Sequence, residues 1–377
     1  MNGMLRWFLP LASALLCALS LLTVMKSPDW SPWRLGVVAG EFGHWLAVAA
    51  LALVLFAWFA RGGAGVWAAA VGLPALVATG FFLKPAWQAW RVAAELPARL
   101  TASFGAQPVT RPAFSLEGLL NRDPAPVAMR ALQVAPGLPL DFYATHRRGA
   151  PCVVMIHGGG WESGDRTQLA HVNHWIARQG YAVAAISYRL APQHRWPAQR
   201  DDVLAAIAFL KANAAELSID PGKLILFGRS AGGQIAQAVA YTAHDPAIRG
   251  VAALYAPSDL IFGYVNTYED DMLKSPALMR RFLGGTPDSA RANYESASSI
   301  FHVSPHSPPT LLVHGTLDAV SWYRHSERLA AKLKEAGVPH AYVALPWATH
   351  GCEFNLHGPS GQLTTFALEW FLAAVTR

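Results

Sequence analysis

Three residues that are far apart in the sequence have the side chains of a nucleophile, a base and a carboxylate. Ser230 lies within 228–232, Gly-Arg-Ser-Ala-Gly; Asp318 follows 314–317, His-Gly-Thr-Leu; and His350 lies among small residues. A serine hydroxyl becomes a nucleophile when a histidine takes its proton and a carboxylate orients that histidine. The order serine, aspartate, histidine therefore predicts acyl transfer, with Ser230 as nucleophile, His350 as base and Asp318 as orienting group.

Each of these residues also has a simpler interpretation. Ser230 could cap a helix, and Asp318 could cap a turn. His314, His325 and His357 compete with His350 as base, and we favour His350 because it lies in the short loop after the last predicted strand. The carboxylates at 201–202 precede the serine and begin a helix, so we expect them to be structural.

A glycine run offers donors for the negative oxygen that forms during acyl transfer. His157 is followed by Gly158, Gly159, Gly160 and then a tryptophan. Backbone N–H groups of such a loop can point into a site because no side chains block the approach. We predict an oxyanion hole of Gly158, Gly159 and Ala231, with Gly160 as the alternative to one of the two glycines.

Two aromatic residues lie at strand ends near this loop: Trp161 after the predicted strand 151–157, and Tyr188 as the last residue of 181–188. They are candidates for the walls of a substrate pocket, and core packing is the alternative.

Short apolar segments alternate with helical segments from residue 127 to the C-terminus. The predicted strands are 128–134, 138–143, 151–157, 181–188, 224–227, 250–255, 310–314 and 340–345. The first two are separated by Ala-Pro-Gly and predict a hairpin. The alternation predicts a doubly wound, mostly parallel sheet. In such a sheet the carboxyl ends of the strands form one edge, where the serine, the glycine run, the aspartate and the histidine all fall.

The N-terminal stretch 1–85 has a different composition, with long apolar runs and few charges. Its segments 5–25, 35–60 and 62–83 are apolar almost throughout. Each is long enough to cross a hydrocarbon core of ~30 Å, which predicts about three transmembrane helices. A cleaved signal peptide is the alternative for the first, and a buried helix for any one of them. Glu41 and His44 are three residues apart in the second segment, so one continuous helix would place them on one face.

Charged residues around these segments predict a multi-pass protein of the cell or inner membrane, with its C-terminal domain in the cytoplasm. Positive charge favours the cytoplasmic side. Five basic residues on one side oppose two on the other: Lys26, Arg34, Lys84, Arg91 and Arg99 against Arg6 and Arg61. Residues 86–126 are expected to be an amphipathic helix at the membrane surface followed by a linker, with packing on the C-terminal domain as the alternative for the helix.

Charge and cysteine content restrict the function classes. The net charge is +6, but the basic residues are scattered and form no cluster of the kind that binds nucleic acid. The three cysteines show no metal-binding spacing and no disulfide framework. We expect no nucleic acid partner, no metal and no cofactor.

Several of these motifs occur together in a known family. Residues 128–376 resemble α/β-hydrolase carboxylesterases related to hormone-sensitive lipase and to the feruloyl-esterase-like group. The motifs that carry the resemblance are His-Gly-Gly-Gly-Trp at 157–161, Tyr-Arg-Leu-Ala-Pro at 188–192, Gly-Arg-Ser-Ala-Gly-Gly at 228–233, Gly-Thr-Leu-Asp at 315–318 and Thr-His-Gly at 349–351. The resemblance implies the α/β-hydrolase fold, ester hydrolysis through an acyl-enzyme, and a cap-like insertion at 258–300 that sets specificity.

The sequence therefore predicts a membrane-anchored serine carboxylesterase. Its partners would be membrane lipids and a small-molecule or lipid-derived ester substrate. The alternatives are an amidase of the kynurenine-formamidase type, which the glycine motif also resembles, and a catalytically silent hydrolase fold used for binding.

Overall fold

The computed structural model describes residues 3–60, 65–123 and 125–377, which form a group of N-terminal helices and a C-terminal α/β domain. The N-terminal helices are α1 (Gly3–Ser20), α2 (Trp30–Glu41), α3 (Gly43–Ala60) and α4 (Val66–Phe104). Arg61 and residues 62–64, where the third predicted span begins, lie outside the described residues.

The C-terminal domain alternates strands and helices. Its strands are β1 (Met129–Ala135), β2 (Leu138–Tyr143), β3 (Ala150–Ile156), β4 (Ala182–Ile186), β5 (Ile219–Arg229), β6 (Ile248–Leu254), β7 (Thr310–Gly315) and β8 (His340–Leu345). Its helices are α5 (Ala170–Arg178), α6 (Ala198–Ala212), α7 (Ala214–Leu217), α8 (Ala231–Thr242), α9 (Leu260–Val265), α10 (Ser275–Leu283), α11 (Arg291–Ala297), α12 (Arg324–Glu335) and α13 (Pro359–Val375). Helices α9 to α11 form the insertion predicted between β6 and β7.

The strands form one mostly parallel sheet, as predicted. Their order is β1-β2-β4-β3-β5-β6-β7-β8, with β1 and β2 antiparallel to their neighbours and the other strands parallel. The chain leaves β3 in one direction to reach β4 and later crosses to β5 on the other side. This reversal places the loops after β3 and β5 side by side, and crevices for ligands form at such a point.

The sheet is covered on both faces, which explains why its central strands are apolar runs. All seven residues of β3 are buried. Val153 and Met155 pack towards the second half of α4, α5 and α13, while Val154 and Ile156 pack towards α6, α8 and α12. Alternate side chains of a strand point to opposite faces, so a strand buried on both faces needs an apolar residue at every position.

The single helix predicted over 35–60 is two helices in the structure. The chain bends by 84° between α2 and α3 at Phe42, so Glu41 and His44 belong to different helices and do not share a face. Gly43 lies so close to the backbone of Phe82 that a Cβ there would collide with its carbonyl oxygen. Glu41 accepts a hydrogen bond from the N–H of Ser360 at 3.1 Å. Contacts with α4 on one side and with the C-terminal domain on the other thus set the bend.

The predicted third span and the predicted surface helix are joined in one helix, α4. Its path continues through Pro85, although proline removes one helical hydrogen bond. Ala89, Leu96 and Leu100 are buried against the C-terminal domain, and this packing stabilises the helix beyond the proline. On this face, residues 86–104 pack on the C-terminal domain, which is the alternative that the sequence analysis gives for this helix. Trp87 and Trp90 are exposed on the other face.

Length and composition make α4 the one described helix that is able to cross a membrane, and the bent pair of α2 and α3 would be a second if it counts as one span. The apolar helical segment Trp7–Thr23, which includes most of α1 and the turn that follows it, is shorter. One or two of the three predicted spans therefore correspond to a helix that is long and apolar enough to cross a membrane. The first span, 5–25, stays a prediction.

Candidate active site

Ser230 lies on a sharp corner between β5 and α8. Its φ is 51°, in a region of backbone conformation that residues other than glycine rarely adopt. Neighbouring glycines permit the corner: a Cβ on Gly228 would collide with the backbone of Gly232, and one on Gly232 with the carbonyl of Ile156. Strain of this kind persists only where surrounding structure enforces it, and it exposes the serine hydroxyl above the sheet.

His350 and Asp318 meet at the same edge of the sheet. The distance from His350 Nδ1 to Asp318 Oδ2 is 2.7 Å. Because an ionised carboxylate only accepts hydrogen bonds, the imidazole proton lies on Nδ1 and Nε2 is left with a free lone pair. The other oxygen of Asp318 accepts the N–H groups of Val320 and Ser321, both at 2.8 Å. The carboxylate is therefore held in one orientation.

A second histidine, His314, also contacts Asp318. Its Nε2 lies 3.3 Å from Asp318 Oδ2 and 2.9 Å from the carbonyl oxygen of Ser321, and its Nδ1 lies 2.8 Å from Ser326 Oγ. A carbonyl only accepts, so Nε2 carries the proton. The sequence interpretation treated His314 as a rival base, whereas the structure gives it the role of holding the aspartate.

Burial opposes ionisation of Asp318, but His350 and His314 outweigh this effect and hold the pKa of the Asp318 carboxyl well below its usual range. A negative charge next to His350 stabilises the imidazolium that forms when the ring takes a proton.

The glycine run at 158–160 follows β3 and borders the serine. The N–H of Gly158 donates to Gln168 Oε1 at 2.8 Å. The prediction of Gly158 as an oxyanion donor therefore needs correction, because a neighbouring side chain already engages that N–H. Gly159 has a φ of 118°, which only glycine adopts readily, and a Cβ there would collide with Ser163. Ala231 is the first residue of α8, where N–H groups have no partner within the helix.

His157 and Tyr188 support the glycine run from behind. Their rings are stacked with centroids 4.1 Å apart, and the Tyr188 hydroxyl donates to the carbonyl of His157 at 3.2 Å. Burial lowers the pKa of His157 to about 4, so its ring is neutral at pH 7. Tyr188 was predicted as a pocket wall, but the residues that line the described cavities at Ser230 do not include it. The Tyr188 ring packs against the His157 ring instead.

Two cavities open at Ser230. The larger has a volume of about 820 Å³, and Ser230, His350 and the glycine run all line it. The smaller has a volume of about 70 Å³ and lies under the insertion, where Trp161 is one of its walls. Trp161 Nε1 donates to Gln234 Oε1 at 2.8 Å, and its ring stacks on Phe282. This tryptophan is thus both a wall and a core residue.

A buried network that sequence reasoning missed links the serine corner to the histidine loop. Arg229 lies directly before the serine, and its Nε is 3.3 Å from Glu353 Oε1, with both side chains 2% exposed. The Tyr255 hydroxyl donates to the same carboxylate, and the Tyr255 ring contacts the ring of His350 at 4.3 Å between centroids. The arginine lay inside the serine motif, but nothing in the sequence spacing indicated its partner.

A residue of the N-terminal helices also reaches the site. Trp33 Nε1 donates to the carbonyl oxygen of His350 at 3.1 Å, across 317 positions of sequence. His325, another competing histidine, lines the smaller cavity. Two further competing residues line neither cavity: the Asp202 carboxylate holds Arg189, and His357 lies 3.3 Å from Asp123. Asp202 is thus structural, as expected.

The sequence profile of the BD-FAE family matches residues 140–333, just over half of the chain. The chain belongs to the BD-FAE family. The matched range contains the glycine run, Ser230 and Asp318, and it ends before His350.

Curated relatives of this BD-FAE protein include two from Mycobacterium tuberculosis. The probable carboxylic ester hydrolase LipM is 29% identical over 238 residues, which cover 60% of this chain and 54% of LipM. Esterase LipC is 30% identical over 239 residues, which cover 60% of this chain and 59% of LipC. The chain thus spans a little over half of the length of these relatives.

Solved structures agree with the fold. The structure titled Bacterial Heroin Esterase has a TM-score of 0.55 and 25% identity, and the alignment covers 66% of this chain and 83% of that one. The thermophilic carboxylesterase EstE1, from a metagenomic library, has a TM-score of 0.57 and 19% identity, with 76% and 96% covered. The C-terminal domain of this BD-FAE protein has the α/β-hydrolase fold.

Proposed function

We propose that this protein is a serine carboxylesterase that hydrolyses esters through an acyl-enzyme. The observation that carries the proposal is the 2.7 Å contact of His350 Nδ1 with Asp318, in a cavity that Ser230 also lines from a strained corner. The names of the relatives LipM and LipC support the same class of reaction.

The reaction would begin when His350 Nε2 takes the proton of Ser230 and the serine oxygen bonds to the carbonyl carbon of the ester. The N–H groups of Gly159 and Ala231 would stabilise the negative oxygen, with Gly160 as a further donor. Gln168 would act as a positioning residue through Gly158. His350 then gives its proton to the leaving alcohol, and water releases the acid by the same route.

The test is to compare the wild-type protein with Ser230→Ala on a panel of esters and formamides. We expect Ser230→Ala to lower kcat for esters by at least ~10⁴-fold and to abolish labelling by a fluorophosphonate. Ser103→Ala, a serine on α4, is the matched control. Ester hydrolysis that survives in Ser230→Ala would refute the proposed nucleophile, and a preference for formamides would favour the amidase.

We further propose that α1, α3 and the first half of α4 are three membrane passages. Ser13 of α1 and Thr23 just beyond its end contact Val71 and Phe81 of α4, so these two helices run in the same direction. Gly43 at the start of α3 lies against Phe82, while Ala57 near its end lies against Gly72.

Helix α3 therefore runs in the opposite direction, and the arrangement is an up-and-down bundle. Helix α3 consists of 18 residues, and α4 begins at Val66. At a rise of about 1.5 Å per residue, a helix of that length reaches ~27 Å. This is close to the thickness of the hydrocarbon core of a bilayer.

Exposed tryptophans lie towards both ends of the bundle, which supports its placement in a bilayer. Trp7 and Trp58 are 78% and 64% exposed at one end, and Trp45 and Trp87 are 54% and 53% exposed at the other. Tryptophan concentrates at the two membrane–water interfaces.

Extraction tests this part of the proposal. The full chain should stay in the membrane pellet at alkaline pH and require detergent for release. Recovery in the alkaline supernatant would contradict three passages. The basic residues favour a cytoplasmic C-terminal domain, and a C-terminal reporter active only in the cytoplasm should be active.

A further inference from the structure

The two cavities at Ser230 contain different catalytic side chains. The larger is lined by His350, whereas the residues that line the smaller in the described chain include Ser230 and Ala231 but not His350. Because His350 lines one cavity and not the other, the alcohol and the acyl group of an ester are expected to bind in different cavities.

The alcohol half must lie on the side of His350. When Ser230 Oγ has bonded to the carbonyl carbon, the bond from that carbon to the alcohol oxygen breaks and His350 gives its proton to the departing oxygen. Donor and acceptor must be within hydrogen-bond reach, directly or through one water. The alcohol therefore occupies the larger cavity, and the acyl group, on the other side of the carbonyl carbon, occupies the smaller one.

The smaller cavity, with its volume of about 70 Å³, has room for a short acyl group. A single water needs up to about 15 Å³ of such a volume, so the cavity holds roughly five water-sized groups. Its walls include Trp161, Phe262 and Met279. An apolar pocket of this size fits an acyl chain of a few carbons.

Helix α2 forms one wall of the larger cavity, and four of its five lining residues are apolar: Trp30, Trp33, Val37 and Val38, with Arg34 as the fifth. This wall is fixed at two places. Trp33 Nε1 donates to the carbonyl of His350, and the Glu41 carboxylate accepts from Ser360 in the first turn of α13. The N–H groups in the first turn of a helix have no acceptor within the helix, so the Glu41 oxygen supplies one and ties this end of α2 to α13.

We propose that α2 is a specificity-determining element and that the enzyme removes short acyl groups from large apolar alcohols. The inference rests on the proposed esterase activity. It follows from the mostly apolar wall of α2 on the side where the alcohol must lie, and from the small cavity on the acyl side. Because α2 continues at Phe42 into α3, an alcohol dissolved in the bilayer has an apolar surface to follow towards His350.

A pair of isomeric esters tests the assignment. Hexadecyl acetate has a short acyl group and a long alcohol, and ethyl hexadecanoate has the reverse arrangement with the same atoms. The full chain is assayed on both in mixed micelles at equal mole fraction, with Ser230→Ala as the blank. We expect kcat/KM to be at least about tenfold higher for hexadecyl acetate.

The outcomes separate this inference from the proposed function. Hydrolysis that depends on Ser230, but with equal rates or a preference for ethyl hexadecanoate, would overturn the inference and leave the esterase standing. Hydrolysis of neither isomer nor of ethyl acetate would overturn both.

A matched pair of substitutions tests the role of α2. Val38 lines the cavity and is 41% exposed, so Val38→Trp enters the cavity without overfilling a core. We expect it to lower the ratio of hexadecyl acetate to ethyl acetate turnover at least about fivefold. Val48→Trp makes the same change on the exposed side of α3 and should leave the ratio unaltered. An unaltered ratio in Val38→Trp would refute α2 as the specificity element.

Discussion

The N-terminal helices and the C-terminal domain place their large apolar side chains in opposite ways. In the C-terminal domain Phe227, Phe366 and Trp347 are buried in the core on one face of the sheet. The buried cluster described between the N-terminal helices consists of four alanines and Phe82. Phe59 and Leu73 are 78% and 63% exposed.

This difference fits the proposed placement of the N-terminal bundle in a bilayer. Burial of large side chains away from water drives folding of a soluble domain. Within a bilayer that driving force between helices is absent, and small residues let helices approach closely while large ones face lipid. We expect substitutions in the C-terminal domain to change catalysis without releasing the protein from the membrane, and substitutions at the contact between the two regions to change stability.

After Ser230→Ala, the largest effect is expected from Asp318→Asn. The amide no longer fixes the proton of His350 on Nδ1, so kcat should fall by about 10³–10⁴-fold while the protein remains in the membrane fraction. Steady-state kinetics and fractionation measure the two properties. A loss of membrane association would show that the division between the two regions is wrong.

Acidification should destabilise the C-terminal domain. Burial lowers the pKa of His325 to about 3, assisted by His314 and Arg328 and opposed by Asp318, and burial lowers that of His157 to about 4. Both groups have a pKa of ~6.5 when unfolded, so between pH 6.5 and 4 the unfolded chain binds protons that the folded chain does not. Stability is therefore complete above pH ~6.5 and falls by a few kcal/mol on the way to pH 4.

Thermal unfolding of the detergent-solubilised chain at pH 7 and pH 5 measures this loss. His325→Phe should make the fall in Tm smaller, whereas His306→Phe, at an exposed ring, should not. Equal falls in the wild-type protein and His325→Phe would contradict the assignment.

The contact between the two regions is tested by Glu41→Ala. The N–H of Ser360 loses its acceptor in a buried place. Such a loss costs about 1–3 kcal/mol. Tm should fall, and Glu41→Gln, which keeps an acceptor oxygen, should recover part of the loss. If Tm is the same in all three proteins, this hydrogen bond does not join the regions.

The smallest effect is expected from Trp33→Phe, which removes the hydrogen bond to the carbonyl of His350 but keeps an aromatic ring. Loss of one such bond is worth about 1 kcal/mol, so kcat/KM should fall about fivefold. Trp45→Phe, on α3, is the matched control. A fall of the same size in Trp45→Phe would mean that the effect does not pass through His350.

The fold of the C-terminal domain could be predicted from the sequence because its signals lie in short stretches of neighbouring residues. Strand–helix alternation predicts each of the eight strands, and the glycines around Ser230 indicate the corner. Which side chains the corner touches depends on contacts between distant segments. Gln168 at Gly158, His314 at Asp318 and Glu353 at Arg229 carry no spacing signal.

The N-terminal region shows the opposite limit of sequence reasoning. Apolar runs indicate helices, but their length alone does not say where a helix bends or continues. Close packing of Gly43 ends one helix in the middle of the predicted 35–60 span, while Pro85, an expected end, lies within α4. Tertiary contacts, rather than local propensity, determine both outcomes.

The unbroken path of α4 has a mechanical consequence. Helix α4 has 39 residues, and its first half lies in the bundle while its second half is packed on the sheet domain. At about 1.5 Å per residue it extends for about 58 Å. A flexible tether would let the hydrolase domain tumble above the lipid surface. With the bundle in a bilayer as proposed, a continuous helix would hold the mouth of the cavity at a constant height and in a constant direction relative to the lipid surface.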